Sequence, residues 1–148
     1  GGHRLFDKAV LHYLIPVIRW IDDKQQGRER KKVVVSIETL MDSFLNPLSS
    51  MHKAYEMLIE KYDVYFIVPA LTSDLQQGVE AQQWIGKYIN APAWNRVILS
   101  NNPEMLYADY LITSKKCPDF LGTVIDFGSD DFKTWESVIT FFDRLGGQ

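Results

Sequence analysis

The sequence has few of the residues that build disulfide frameworks or metal sites. Its single cysteine is Cys117, and its three histidines lie far apart without the spacing of metal ligands. It also lacks an apolar run long enough to span a membrane and a stretch typical of a secretion signal. A net charge of −3 at pH 7 argues against nucleic acid as a partner. We therefore expect a cytoplasmic protein without membrane or nucleic-acid contacts.

The composition is that of a globular domain. The 148 residues are 46% hydrophobic and 24% charged, which suits a chain that buries one core without disulfides. Apolar residues at helical spacing predict a long helix over residues 5–23, interrupted by Pro16. A polar and mostly basic linker follows over residues 24–32. We expect an amino-terminal helix with its linker over residues 1–31 and an α/β domain over residues 32–148.

Short β-branched strands alternate with amphipathic helices through the second region. Strands are predicted at residues 33–37, 64–68, 96–99, 109–112 and 123–127. Helix starts are predicted at Asn46-Pro47, at the capping pattern of Ser73 and Gln76, and at Asp130 or Asp131. This order predicts a three-layer α/β fold, with a mostly parallel five-stranded sheet and helices on both faces.

Open parallel sheets bind ligands at the carboxyl ends of their strands. The polar side chains predicted to collect there are mainly hydroxyls, amides and ammonium groups, with one carboxylate; they are Ser36, Glu38, Asn101, Asn102, Thr113, Ser114, Lys115 and Lys116. Hydroxyl and ammonium groups can donate hydrogen bonds to a phosphorylated molecule. The residues that we expect to bind such a ligand are Ser36, Glu38, Asn101, Thr113, Ser114 and Lys115.

A succession of local patterns carries a family resemblance. The patterns lie at residues 64–70, 84, 94–99, 108–112 and 127–138. Read in order, over about residues 32–145, they resemble the 5'(3')-deoxyribonucleotidases of the haloacid dehalogenase superfamily. The resemblance implies a Rossmann-like core in which Trp84, Trp94 and Trp135 are buried. It also implies a cap domain that is absent or minimal, since only one predicted helix separates the first two strands.

The residues at the family's catalytic positions are changed in this chain. The family carries two aspartates after the first strand, a threonine or serine after the second, a lysine after the third and two acidic residues after the fourth. These groups supply the nucleophile, the general acid and base, the phosphate contacts and the magnesium ligands. The matching positions here are Ser36, Glu38, Val68, Pro103, Thr113 and Ser114.

These changes predict a loss of catalysis. Phosphoryl transfer depends on positioning and on cations that neutralise the phosphoryl oxygens, and Glu38 alone is a poor magnesium site. We therefore expect no catalytic residue, no cofactor and no enzyme activity, in a pseudoenzyme that serves as a protein-interaction or regulatory module. One alternative is a sensor that binds a phosphorylated ligand or nucleotide without metal. A weaker alternative is residual magnesium-dependent deoxyribonucleotidase activity.

The predicted amino-terminal helix has more apolar side chains than docking on its own sheet requires. Exposed apolar surface of this kind is typical of protein contacts, and the linker would let the helix reach another chain. We expect a homo-oligomer or a protein partner, bound through Phe6, Val10, Tyr13, Leu14, Val17, Trp20 and Ile21. The alternative is a helix that covers a sheet face left open by the missing cap.

Overall fold

The structure is a computed structural model that describes residues 8–146, with side chains from Leu14 onward except that of residue 91. Phe6 of the predicted interface lies outside the described residues, and so do the side chains of Val10 and Tyr13. The α-helices are α1 (Lys8–Gln25), α2 (Met51–Lys61), α3 (Leu75–Tyr88) and α4 (Trp135–Gly146). The strands are β1 (Lys32–Ser36), β2 (Asp63–Val68), β3 (Val97–Leu99), β4 (Tyr110–Thr113) and β5 (Thr123–Asp126). Short 3₁₀ helices span Ile37–Thr39, Ala91–Ala93 and Pro103–Met105.

The five strands form one parallel sheet in the order β3-β2-β1-β4-β5. In the central register, Val34 of β1 lies between Tyr65 of β2 and Leu111 of β4. The predicted five-stranded α/β sheet is therefore confirmed. Because all strands run in the same direction, the carboxyl ends of β1 and β4 lie side by side at one edge of the sheet. We call this edge the carboxyl edge.

Alternate residues of the buried strands face opposite sides of the sheet. On the first side, strand residues such as Val33, Val35 and Phe66 pack with side chains from α2, α3 and α4 in the main core. On the second side, Val34, Ile67 and Leu111 form a smaller core with residues from the connections that follow β3 and β4. In the described part of the chain, neither of these two connections contains an α-helix.

Gly122 permits the close return of the chain into β5. A Cβ atom at this position would lie 2.5 Å from the carbonyl oxygen of Ala108 and 2.6 Å from that of Asp109. Backbone atoms that enter a strand cannot move away as a flexible side chain could. Glycine at this position therefore lets the chain that enters β5 pass directly against the backbone that enters β4.

Helix α1 packs on its own chain, against α2 and the 3₁₀ helix Ala91–Ala93. Its Trp20 ring stacks on Arg96, and its Arg19 pairs with Glu60. The linker is also anchored, because Arg28 pairs with Asp22 at 2.9 Å and Arg30 donates to the carbonyl oxygen of Ile59 at 2.9 Å. No helix within residues 8–146 has the length and apolar character needed to cross a membrane.

Three helices begin at residues other than those predicted. Helix α2 starts at Met51, because Asn46 and Pro47 belong to a loop that a Met41–Pro47 bridge closes. The α3 cap is Asp74, whose side chain accepts from the amide of Gln77. Helix α4 starts after a reciprocal pair: the Ser137 amide donates to the Thr134 hydroxyl at 3.4 Å, and the Thr134 amide donates to the Ser137 hydroxyl at 3.2 Å. The predicted caps at Asp130 or Asp131 were therefore wrong.

Two of the three tryptophans predicted in the core are buried there. Trp84 and Trp135 are buried, and each indole N–H donates to a backbone carbonyl, of Leu45 at 2.8 Å and of Thr39 at 2.7 Å. Trp94 is 60% exposed, so its assignment to the core was wrong. The 3₁₀ helix Ala91–Ala93 buries Ala93 instead, and the next residue then faces outward.

Candidate ligand site at the carboxyl edge

The carboxyl edge brings together two segments that are far apart in sequence. Strand β1 ends at Ser36 and its neighbour β4 ends at Thr113, with Val35 and Ile112 as the last paired residues. The 3₁₀ helix Ile37–Thr39 then turns the chain so that Glu38 lies at the same edge. The buried hydroxyl of Thr39 stabilises this turn by donating to the carbonyl oxygen of Ser36 at 2.7 Å.

The carboxylate of Glu38 is the centre of a hydrogen-bond network. Its Oε1 atom accepts from the Thr113 hydroxyl at 2.9 Å, from the Ser114 amide at 3.1 Å and from the Ser114 hydroxyl at 3.2 Å. The side chain of Ser36 also interacts with this carboxylate and lowers its pKa. The predicted residues Ser36, Glu38, Thr113 and Ser114 therefore lie in one cluster.

These hydrogen bonds decide the charge of Glu38. Partial burial raises the pKa of the carboxyl group, but hydrogen bonds from Ser36, from its own amide, from Ser114 and from Thr113 outweigh burial and bring the pKa below its ordinary value. Glu38 is consequently ionised at neutral pH. Its negative charge is held by neutral donors of the protein.

Lys115 is placed by the same network. Its backbone amide donates to the Thr113 hydroxyl oxygen at 3.1 Å, while that hydroxyl donates its own proton to Glu38. Thr113 is only 3% exposed, so its hydroxyl group is buried at the edge of the core and held in place by its neighbours. The Lys115 side chain itself is exposed, and it lines two neighbouring cavities.

The first cavity, which we call the polar cavity, has a volume of about 550 Å³. Hydroxyl, amide and ammonium groups line it together with two carboxylates, and its polar residues include Ser36, Ser100, Asn101, Thr113, Lys115, Lys116, Glu104 and Asp119. Cys117 also lines this cavity. Burial and the nearby Glu104 carboxylate raise the pKa of the Cys117 thiol, so the thiol is protonated at neutral pH.

The second cavity, which we call the apolar cavity, has a volume of about 470 Å³. It lies between the loop after β1 and helix α3. Its apolar walls include Met41, Leu45, Ala81 and Trp84, and the carboxylates of Glu38, Asp42 and Glu80 lie at the same cavity. The hydrogen bond from the Trp84 indole to the Leu45 carbonyl fixes one wall against the other. The two cavities share Pro69, Gln77 and Lys115, so they are adjacent.

The other predicted site residues have different surroundings. Asn101 lines the polar cavity, but its amide group is paired with Ala70, accepting from the Ala70 amide at 2.9 Å and donating to the Ala70 carbonyl at 3.0 Å. Val68 is fully buried. Pro103 lines the polar cavity at the start of a 3₁₀ helix.

The sequence reasoning missed Gln77 as a residue of this site. It lies in the first turn of α3 and lines both cavities. A signal for it was present, because a helix that follows a parallel strand starts at the carboxyl edge and directs its first amides toward that edge. The prediction had considered only residues that directly follow strands.

The family resemblance implies a magnesium ion at this edge. The side chains present at the carboxyl edge do not fit that ion. Magnesium prefers octahedral oxygen ligands and usually one or two carboxylates. The nearest candidate, Glu38, already accepts three hydrogen bonds on Oε1 from Thr113 and Ser114. Within the described residues, no three Asp, Glu, His or Cys side chains converge in a way that could hold a metal.

Comparison with known proteins supports the family resemblance. No model of a known protein family matches the chain. A protein of Vibrio phage KVP40 named "Putative 5'(3')-deoxyribonucleotidase" is 29% identical to it over 100 residues, a match that covers 66% of this chain and 59% of the phage protein. The chain thus spans about three-fifths of the length of that relative. The resemblance to the deoxyribonucleotidases is confirmed by a curated relative.

The same comparison corrects one prediction. The chain was expected not to be an enzyme, but the relative's name points to an enzyme, so that expectation was wrong. It had been derived from substitutions at positions such as Ser36 and Thr113. A changed residue at a catalytic position shows which chemical groups are present there. It does not by itself show whether the protein catalyses a reaction.

Proposed function

We propose that this chain binds a nucleoside monophosphate at the carboxyl edge of its sheet. The observation that carries the proposal is the pair of adjacent cavities, one polar with two lysines and one largely apolar, joined at Lys115 and Gln77. A nucleoside monophosphate has two corresponding parts, a charged phosphate and a flat base whose faces suit apolar contact. The name of the phage relative supports a nucleotide as the ligand class.

In this proposal the phosphate occupies the polar cavity. Lys115 and Lys116 line that space, and the Lys115 ammonium group can donate hydrogen bonds to phosphate oxygens. The nucleoside then extends past Lys115 into the apolar cavity, where Trp84 and Met41 provide contact area. The walls of this second cavity also include Glu80 and Gln77, which can accept or donate hydrogen bonds at the base edge.

Calorimetric titration of the full chain tests the binding proposal. We expect a deoxynucleoside monophosphate to bind at least about tenfold more tightly than either inorganic phosphate or the matching deoxynucleoside, because only the monophosphate uses both cavities. An Ala81→Phe variant, which fills the apolar cavity, should reduce nucleotide affinity and leave phosphate affinity unchanged. Equal affinities for phosphate and nucleotide would contradict the use of the apolar cavity. Absence of binding by all three molecules would contradict the proposal itself.

We extend the proposal to hydrolysis of the bound phosphate ester. Glu38 is ionised, so its carboxylate can accept the proton of a water molecule whose oxygen attacks phosphorus. The P–O bond to the nucleoside then breaks, and the same proton can pass to the departing nucleoside oxygen. Release of inorganic phosphate from deoxynucleoside monophosphates measures turnover, and Glu38→Gln should lower the rate at least about tenfold. No release by the unmodified chain would restrict the site to binding.

The exposed side of α1 supports a second candidate, contact with another copy of the chain. Of the apolar residues described on this helix, Ile15, Ile18 and Ile21 are 48%, 61% and 43% exposed. The predicted interface residues Leu14, Val17 and Trp20 are partly buried within the same chain. Burial of an isoleucine side chain contributes about 1.5 to 3 kcal/mol before the cost of association, so a stripe of such residues can stabilise a homodimer.

Light scattering tests this second candidate. We expect a dimer for the full chain and a folded monomer for Ile18→Glu, whose melting temperature no longer depends on protein concentration. Leu75→Glu is the matched control, because Leu75 is also an exposed apolar residue but lies on α3. A monomeric full chain, or dissociation by both variants alike, would exclude α1 as the contact surface.

A further inference from the structure

The charge balance of the polar cavity depends on side chains rather than on a metal site. Glu38 carries a negative charge that neutral donors already satisfy, and its Oε1 atom has no free position for an additional strong ligand. Glu38 lines the apolar cavity, whereas two other carboxylates, Glu104 and Asp119, line the polar cavity. A phosphate dianion in this cavity therefore needs positive charge from elsewhere in its walls.

Lys115 is the cation that the structure places most specifically. Lys116 lines the polar cavity alone, whereas Lys115 lines both cavities at their junction. A phosphate ester that spans the two cavities has its phosphate beside this junction. The Lys115 side chain is exposed and has no carboxylate partner within the described residues, so its charge is available.

The position of Lys115 depends on Glu38 through one hydroxyl group. Thr113 uses its hydroxyl twice, as donor to Glu38 at 2.9 Å and as acceptor from the Lys115 amide at 3.1 Å. When the hydroxyl proton is donated to a charged carboxylate, the oxygen lone pairs are directed toward the amide, and the bond is charge-assisted. This chain of contacts fixes the backbone from which the lysine side chain extends.

We infer that Lys115 supplies the counter-charge for the phosphate of the ligand in place of a metal ion, and that Glu38 is a positioning residue that orients Lys115 through Thr113. The inference rests on the proposed binding of a nucleoside monophosphate. It assigns metal-independent recognition to that site. It also separates the role of Lys115 from that of the neighbouring Lys116.

The test is a calorimetric titration of the full chain with a deoxynucleoside monophosphate, in EDTA and in excess magnesium. We expect the same dissociation constant in both buffers. Lys115→Met should weaken binding about tenfold or more, as expected for loss of a charge-assisted hydrogen bond, while the matched control Lys116→Met should weaken it less than about threefold. The salt dependence of affinity should fall in Lys115→Met, because fewer charges contact the phosphate.

Two substitutions of Thr113 test the positioning role. Thr113→Val removes the hydroxyl and should weaken nucleotide binding, whereas Thr113→Ser keeps the hydroxyl and should restore it. The melting temperatures of both variants show whether each one folds. If Thr113→Val does not fold, the nucleotide affinity of Thr113→Ser still tests the role of the hydroxyl group. Weakened binding by a stably folded Thr113→Ser would contradict the role of the hydroxyl.

The outcomes separate this inference from the function on which it rests. Nucleotide binding that requires magnesium, or equal losses in Lys115→Met and Lys116→Met, would overturn the inference and leave nucleotide binding in place. Absence of nucleotide binding in both buffers would overturn both. Equal affinity in both buffers with a selective loss in Lys115→Met would support it.

Discussion

The guanidinium carbon of Arg96 lies 3.5 Å from the centroid of the Trp20 ring, and this contact attaches α1 to the sheet. Arg96 is buried, donates to the carbonyl oxygen of Val64 at 3.2 Å and lies 3.6 Å from the buried carboxylate of Asp63. Burial lowers the pKa of Arg96, and the charge of Asp63 opposes this effect. Trp20 covers the flat face of this group and so separates an ion pair from water.

This contact predicts a stability loss on removal of the ring. Trp20→Ala should lower the free energy of unfolding by about 2 kcal/mol, since it deletes a partly buried ring and a cation–π contact. Trp94→Ala is the matched control, because Trp94 is 60% exposed, and it should change the value by less than about 0.5 kcal/mol. Urea unfolding of both variants measures the difference. A loss below about 0.5 kcal/mol in Trp20→Ala would mean that the contact with Arg96 contributes little to stability.

The lowered pKa of Glu38 predicts a dependence of stability on acid pH. Its hydrogen bonds with Ser36, Ser114 and Thr113 favour the ionised form in the folded state. The contribution of Glu38 to stability is therefore fully present above the unfolded pKa, about 4.5, and is lost as pH falls through the lower folded pKa. The free energy of unfolding of Glu38→Gln should fall less steeply over this acid range than that of the unmodified chain.

Urea unfolding at a series of pH values measures this slope. Glu80→Gln is the control, because Glu80 is an exposed carboxylate of α3. Asp23, whose pKa is lowered by hydrogen bonds from Arg28 and Arg30, retains its own acid dependence in both variants. If Glu38→Gln keeps the slope of the unmodified chain, the network around Glu38 does not favour its ionised form.

The carboxylates of the polar cavity predict stronger binding on their removal. Glu104 and Asp119 line the cavity in which we place the phosphate, and like charges at this range repel. Asp119→Asn should tighten nucleotide binding a few-fold, roughly two- to fivefold, with a smaller gain at high salt. Asp143→Asn, an exposed substitution on α4, should have no effect. Titration at two salt concentrations decides the point, and a weaker affinity in Asp119→Asn would place the phosphate elsewhere.

The close approach at Gly122 predicts a sharp difference between two glycine substitutions. Gly122→Ala should destabilise the chain by about 1 to 3 kcal/mol, because the added Cβ meets backbone oxygens that cannot move. Gly86→Ala, in helix α3 with no atom within 4 Å of the added Cβ, should stabilise it by about 0.5 to 1 kcal/mol. Thermal unfolding compares the two. A stable Gly122→Ala would mean that the start of β4 can shift.

The strands were predictable because their signal is local. Runs of β-branched and aromatic residues marked all five strands to within about one residue at most ends, and their alternation with helices predicted a mostly parallel sheet. The helix starts were less predictable, because cap-like residues also serve loops. Asp42 illustrates this: its carboxylate accepts from the amides of Phe44 and Asn46, so Asn46 belongs to a turn.

The candidate site was predictable only at the level of the sheet edge. The rule that open parallel sheets bind ligands at the carboxyl ends of their strands collected Ser36 and Thr113 at this edge without any knowledge of the side-chain contacts. The bond between Glu38 and Thr113 joins residues that are 75 positions apart, and no local pattern specifies which hydroxyl meets which carboxylate. The apolar cavity was not predicted either, because it forms between α3 and a loop whose conformation depends on Trp84.

The bridge between Met41 and Pro47 makes the rim of the apolar cavity a place where the chain can be lengthened. The bridge holds the two ends of residues 42–46 together, so added residues would start and finish at fixed neighbouring points. The entropic cost of enlarging such a closed loop grows only slowly, by about 0.6 kcal/mol for each doubling of its length. Grafted segments at this position could therefore change what the cavity admits without altering the sheet beneath it.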